Sequence, residues 1–188
     1  NTSFSLPSLS EKDLQDLDFI CGHADMVGFS FVESAEDMGA MSKALAKRKA
    51  SGLPIVAKIE TARAVHNLPE ILLSTMGQHP LAVMIARGDL LVEIGGVQMA
   101  EAQEEILWLC EAAHVPVIWA TQVLDTLAKK GSCSRPEFTD AAMAGRAECV
   151  MLNKGPFILD AIAALHQVLL TMQNHQDKKT PKLAALQW

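Results

Sequence analysis

The chemistry this chain can do is concentrated in Lys58, Glu60 and Asp89. Side chains two apart on a strand point to the same side. In Lys58-Ile59-Glu60 an ammonium and a carboxylate therefore share one face while Ile59 packs on the other. A second carboxylate ends Ala86-Arg87-Gly88-Asp89. Both sets close an apolar run, and neighbouring strands lie about 4.8 Å apart, so Glu60 and Asp89 can converge. Two carboxylates with open positions suit Mg²⁺, a hard cation that keeps several waters and takes its remaining ligands from a substrate. Lys58 beside it would stabilise charge developing on a substrate oxygen. Gly88 has no Cβ, so its N–H can come close to a bound carboxylate. Thr121, in Ala120-Thr121-Gln122, is expected to open a helix and to offer its hydroxyl and the helix N-terminal amides to an anion.

Taken singly, each feature has an ordinary explanation. A Lys and a Glu two apart make a surface ion pair, and Arg-Gly-Asp is a common turn. Their recurrence at three consecutive strand ends sets them apart, because surface salt bridges have no reason to follow strand position.

The elements that must position these residues follow from hydropathy. Five short apolar runs, at 24–31, 54–59, 81–87, 115–120 and 148–152, alternate with helix-like segments at a spacing of roughly 30 residues. The first four contain β-branched residues in near-continuous apolar stretches, which suits strands buried on both faces of a parallel sheet, and the last, with Val150 alone, fits least on that count. Ser10 with Asp13 and Ser34 with Asp37 mark helix starts before 14–20 and 38–49. Asn67 is placed to cap a helix with Pro69 in its first turn, and 99–113 and 160–172 carry apolar stripes of helical period. This alternation predicts an α/β fold of five βα units. Two closures fit: an open doubly wound sheet, or part of a (β/α)₈ barrel, a complete one needing at least about 200 residues.

The chain has 188 residues, 49% of them hydrophobic and 20% charged, which excludes intrinsic disorder. A net charge of −6 with three Trp and six Phe argues against nucleic acid as a partner. No apolar stretch approaches the roughly 20 residues of a membrane span. Cys21, Cys110, Cys133 and Cys149 are widely spaced and read as reduced thiols of a cytoplasmic protein. The first residue is Asn1 rather than Met, which suggests a piece of something longer. The polar segment 176–188 reads as a tail after a body spanning 1–175. The six histidines are expected in surface or helix-end roles. Methionines such as Met84, Met143 and Met151 read as core filler, while Met38 and Met41 are expected in a helix packed on the barrel exterior.

The same residues resemble a known family. Leu6-Pro7-Ser8-Leu9-Ser10-Glu11-Lys12-Asp13, Lys58-Ile59-Glu60, Ile85-Ala86-Arg87-Gly88-Asp89-Leu90, Val92-Glu93-Ile94, Ala120-Thr121-Gln122-Val123-Leu124-Asp125 and Val150-Met151-Leu152 stand in the order and spacing of pyruvate kinase, up to about residue 170. The resemblance implies that the five runs are the fourth to eighth strands of a catalytic TIM barrel, with three strands and a lid domain upstream. It implies a phosphotransferase acting on phosphoenolpyruvate and ADP to give pyruvate and ATP, in a cytoplasmic homo-oligomer. Glu60 and Asp89 would be ligands of Mg²⁺ or Mn²⁺, and Lys58 the catalytic cation that stabilises the enolate. Ser30, Lys58, Ala86, Arg87, Gly88, Asp89 and Thr121 would bind substrate, largely through main chain at 86–89. Ser30 and Phe31 match the serine and phenylalanine that end the family's fourth strand. Ligands for K⁺ would lie upstream. Arg135, in Ser134-Arg135-Pro136-Glu137, matches an interface segment of the oligomer.

Three departures accompany the likeness. Asn153-Lys154-Gly155-Pro156 stands where the family has Ser-Gly-Glu-Thr, Leu91 replaces a glycine, and the C-terminal regulatory domain has no counterpart. On this reading the isolated chain lacks turnover, and its open sheet edges promote self-association. Two alternatives compete: a Mg²⁺-dependent lyase or aldolase barrel that handles a pyruvate-type enolate, and a barrel remnant without catalysis.

Overall fold

The computed structural model describes residues 7–176. The segment 177–188, which holds most of the expected tail, lies outside the described residues. Helix α1 (Glu11–His23) opens on the reciprocal cap expected at its start: Ser10 Oγ accepts from Asp13 N–H, and Asp13 accepts from Ser10 N–H at 2.8 Å. Strand β1 (Val27–Phe29) leads into α2 (Ala35–Lys47), where Ser34 Oγ accepts from Asp37 N–H. Strand β2 (Ile55–Ile59) is followed by two short helices, α3 (Ala62–His66) and α4 (Leu68–Thr75). Thr61 caps α3, but Asn67 makes no capping bond to α4. Its amide instead donates to Glu33 O at 2.8 Å, tying the two helices to the loop after β1.

Strand β3 (Leu81–Ala86) runs directly into the long helix α5 (Arg87–Ala112), which is broken at Gly95. There φ is +77° and ψ 168°, a conformation open essentially to glycine alone. Strand β4 (Val117–Ala120), the helices α6 (Asp125–Lys130) and α7 (Arg135–Ala144), the two-residue strand β5 (Cys149–Val150) and α8 (Ile158–Gln176) complete the chain. Gln176, counted with the tail above, lies in α8.

The five strands are parallel and lie side by side in chain order, β1 to β5. A doubly wound sheet reverses its strand order at a switch point. None occurs here, so the open alternative gives way to an arc of a barrel. Register places Lys58 beside Met84, Met84 beside Ile118 and Ile118 beside Cys149, all on one face of the sheet. The other face carries Ile55, Ala57, Ile59, Val83, Ile85, Val117 and Trp119, each buried. Helices cover that face in two adjoining cores. One packs Val27, Phe29 and Ile55 against Met38, Met41 and Leu45 of α2, and the other packs Ile59, Ile85 and Trp119 against Leu90, Ile106 and Leu165. On the face that bears them, Lys58, Met84 and Ile118 are each partly buried.

Candidate active site

Every polar group of interest sits just beyond the C-terminal end of a strand, where barrel folds place their chemistry. Lys58 and Glu60 share a face of β2 as expected. Lys58 Nζ lies 2.7 Å from Glu60 Oε1 and donates to Ser30 Oγ at 2.8 Å. The other oxygen of Glu60 accepts from the backbone N–H of Phe31 at 2.5 Å. Glu60 is buried, so its charge is met from both sides: an ammonium on one oxygen and an amide on the other. Phe31 adopts φ +53°, the left-handed region, with its ring on the surface. The turn leaving β1 is thus shaped around the carboxylate that β2 presents. A groove of about 650 Å³ opens beside it along β1, lined in part by Gly28, Ser30 and Phe31.

Asp89 lies in the first turn of α5, exposed, at the end of the neighbouring strand. Ile59 pairs with Ile85, so Glu60 and the 86–89 turn leave the sheet side by side. Among the described residues, no three His, Cys, Asp or Glu side chains come together in a way that could hold a metal. A cation here would rest on Glu60 and Asp89 and draw its other ligands from water and substrate, the habit of Mg²⁺. The donor set fits that ion.

The structure revises three expectations. Thr121 does not open a helix: α6 begins four residues later, and Thr121, Gln122 and Leu124 all have positive φ (+67°, +59° and +46°). The Gly88 N–H is not left open, because it donates to Thr121 Oγ1 at 2.8 Å. Nor does this chain's own packing demand glycine there, since a Cβ at position 88 would meet Thr121 at an ordinary 3.6 Å. The third concerns Arg87, whose side chain is taken up at the rim itself, donating to Ala120 O and Thr121 O at the end of β4. It lies over the Trp119 ring at 4.7 Å and forks onto Asp140 of α7. Only its main chain remains for a substrate. Asp140 gave no signal in the sequence, because it stands 53 residues from its partner.

After β5 the divergent segment is well anchored. Asn153 Nδ2 donates to Asp125 Oδ1 at 2.8 Å. That bond, with a weaker contribution from Lys129, holds the Asp125 carboxyl below its ordinary range. Gly155 presses on α6 so closely that a Cβ would lie 2.1 Å from Ala128 O. Lys154 is exposed. Arg135 is exposed at the start of α7, where Glu137 accepts from Ser134 N–H and Thr126 N–H and binds α6 to α7.

One further observation departs from the sequence reading. His79 is buried, with both ring nitrogens unpartnered, rather than at the surface. Glu105 in α5 is buried with one oxygen unpartnered. All four cysteines are free. Among the described residues no helix is long and apolar enough to cross a membrane.

Comparison with known proteins gives a consistent result. Residues 1–156 match the family model described as the barrel domain of pyruvate kinase. A pyruvate kinase of Hypocrea jecorina is 37% identical over 181 residues, covering 93% of this chain and 32% of that protein. One from Candida albicans is 35% identical over 179 residues, covering 92% of this chain and 34% of its own length. Pyruvate kinase PKLR of Rattus norvegicus is 37% identical over 175 residues, covering 89% and 29%. The chain spans about a third of the length of these relatives.

Proposed function

The chain belongs to the pyruvate kinase family, a family of kinases, and we propose that its rim is the substrate-handling part of a phosphotransferase site for phosphoenolpyruvate and ADP. The observation that carries this reading is the Lys58 ammonium, held between Ser30 Oγ and Glu60 Oε1 at the end of β2. Its place on a strand, fixed by two partners, is what a cation needs if it is to meet charge as that charge develops rather than reorganise first.

In the proposed reaction the phosphoryl group leaves phosphoenolpyruvate for ADP, and the enolate left behind takes a proton to become pyruvate. Lys58 faces the oxygen that becomes negative. Thr121 accepts from Gly88 N–H and so keeps its own proton to donate to the substrate carboxylate. Main chain at Ala86, Arg87, Gly88 and Asp89 lines the same corner. Glu60 and Asp89 would hold Mg²⁺ or Mn²⁺, which when bound neutralises charge on the phosphoryl group. The family match does not favour the lyase or aldolase alternative.

Calorimetric titration with oxalate, a mimic of the enolate, tests this reading. Binding is expected with Mg²⁺, to be absent without it and to be lost in Lys58→Met. No binding by the wild-type chain or by the full-length protein overturns it. In a coupled assay the 188-residue chain is expected to give no turnover with phosphoenolpyruvate and ADP while the full-length protein does.

A further inference from the structure

We propose that Arg87 and Asp140 form a clamp that positions the loop after β4, and with it the Thr121 hydroxyl, for an anionic carboxylate. The inference rests on the function proposed above and adds two positioning residues to it.

The loop is the most strained stretch of backbone among the described residues. Thr121, Gln122 and Leu124 are all left-handed, and none is glycine. A β-branched residue such as Thr121 adopts such a conformation only where its surroundings impose it. Arg87 supplies that imposition. Its Nε donates to Ala120 O at 3.0 Å and its Nη2 to Thr121 O, so one guanidinium holds the two carbonyls where the chain turns. The residue is only 8% exposed and its guanidinium carbon lies over the Trp119 ring, 4.7 Å from its centroid. Asp140 accepts from both Nη atoms, at 2.9 Å for Nη2, and supplies the opposite charge that burial requires.

The next residue along the chain, Gly88, donates to Thr121 Oγ1. Two consecutive residues, 87 and 88, therefore grip Thr121 by its carbonyl and its hydroxyl. With the carbonyl pinned by Arg87 and the hydroxyl oxygen accepting from Gly88 N–H, the hydroxyl proton, the side chain's one polar hydrogen, is left to a ligand. Loss of the Asp140 end frees the guanidinium to tilt and leaves the turn without its restraint.

Amide hydrogen exchange on wild type and on Asp140→Asn, with Arg87→Lys as the second variant, tests the clamp without a ligand. Exchange at Gln122, Val123 and Leu124 is expected to rise at least tenfold while amides of β2 and β3 stay protected. Unchanged exchange in the loop overturns the proposal. So does a rise spread evenly over the strands, which would mean that the pair holds the domain rather than the loop. The second arm is oxalate titration with Mg²⁺. Asp140→Asn is expected to weaken binding about tenfold, and Thr121→Ala with Asp140→Asn to bind no more weakly than Thr121→Ala alone, since the clamp acts through Thr121. Additive losses overturn it. Should wild type bind no oxalate, the proposed function fails, and the exchange pattern still decides the clamp.

Discussion

Lys58 Nζ stands 2.7 Å from Glu60 Oε1, yet the two side chains differ in exposure: 26% for the lysine and 2% for the glutamate. The carboxylate is the buried partner and depends on the ammonium for neutralisation. On the proposed function this arrangement has a use, because the same lysine that offsets Glu60 in the resting chain would face the substrate.

Removing that lysine strands the charge. Lys58→Met is expected to destabilise the chain by about 3 kcal/mol, read from urea unfolding, because a buried ion left unpaired costs that much. Lys58→Met with Glu60→Gln should recover most of the loss, since the stranded charge is gone. In the full-length protein, turnover by Lys58→Met should fall about 10²- to 10³-fold.

Phe31 pays a backbone cost to aim its N–H at Glu60. Its φ of +53° is costly for any residue with a Cβ, and its ring is 62% exposed and contributes little packing. Phe31→Gly should therefore raise stability by about 0.5–1 kcal/mol, measured as a higher urea midpoint with unchanged slope. A fall would mean that the ring packs on more than its exposure indicates.

Gly155 carries the opposite expectation. A Cβ there would lie 2.1 Å from the carbonyl oxygen of Ala128 and 2.5 Å from its carbon, both main-chain atoms that cannot rotate away. Gly155→Ala should cost about 3 kcal/mol by urea unfolding and loosen the contact between the 153–157 segment and α6.

Glu105 gives a pH dependence. Burial, with repulsion from Glu101, pushes its carboxyl above the ordinary 4.5 of a glutamate. The folded chain then binds a proton there more tightly than the unfolded chain does. Its contribution is whole below pH 4.5 and is lost as pH rises from there through the raised folded value. Glu105→Gln removes that loss and should raise the melting temperature at pH 7 by about 2–4 °C, for about 1 kcal/mol. The gain should vanish when melts are run near pH 4.

Among the described residues, strands β1 and β5 each pair on one side only. Such edges recruit further strands, so light scattering of the isolated chain should give a mass above that of one copy, and a clean monomer would count against this.

Several features were legible from residue order alone because their causes are local. Apolar runs every 30 residues or so are each long enough to cross a sheet, and charged groups that end them must emerge at the rim. That is how Lys58, Glu60 and Asp89 could be placed on neighbouring strand ends. The Ser10–Asp13 cap is equally local, three residues closing on themselves. Asn67 misled because a cap and a long-range bond draw on the same amide, and packing against the loop after β1 won.

The sequence by itself determined the alternation of elements, the parallel sheet and the identity of the charged residues at its rim, since hydropathy and strand geometry act over a few neighbours. Tertiary structure decided the closure, through a strand order without reversal. It also decided that the Arg87 side chain joins Asp140 to the turn after β4, that Phe31 N–H serves Glu60, and that Thr121 turns left-handed instead of starting a helix. Each of these joins groups 29 to 53 residues apart or sets a backbone angle against its local preference. Only the packed chain supplies the forces that hold them.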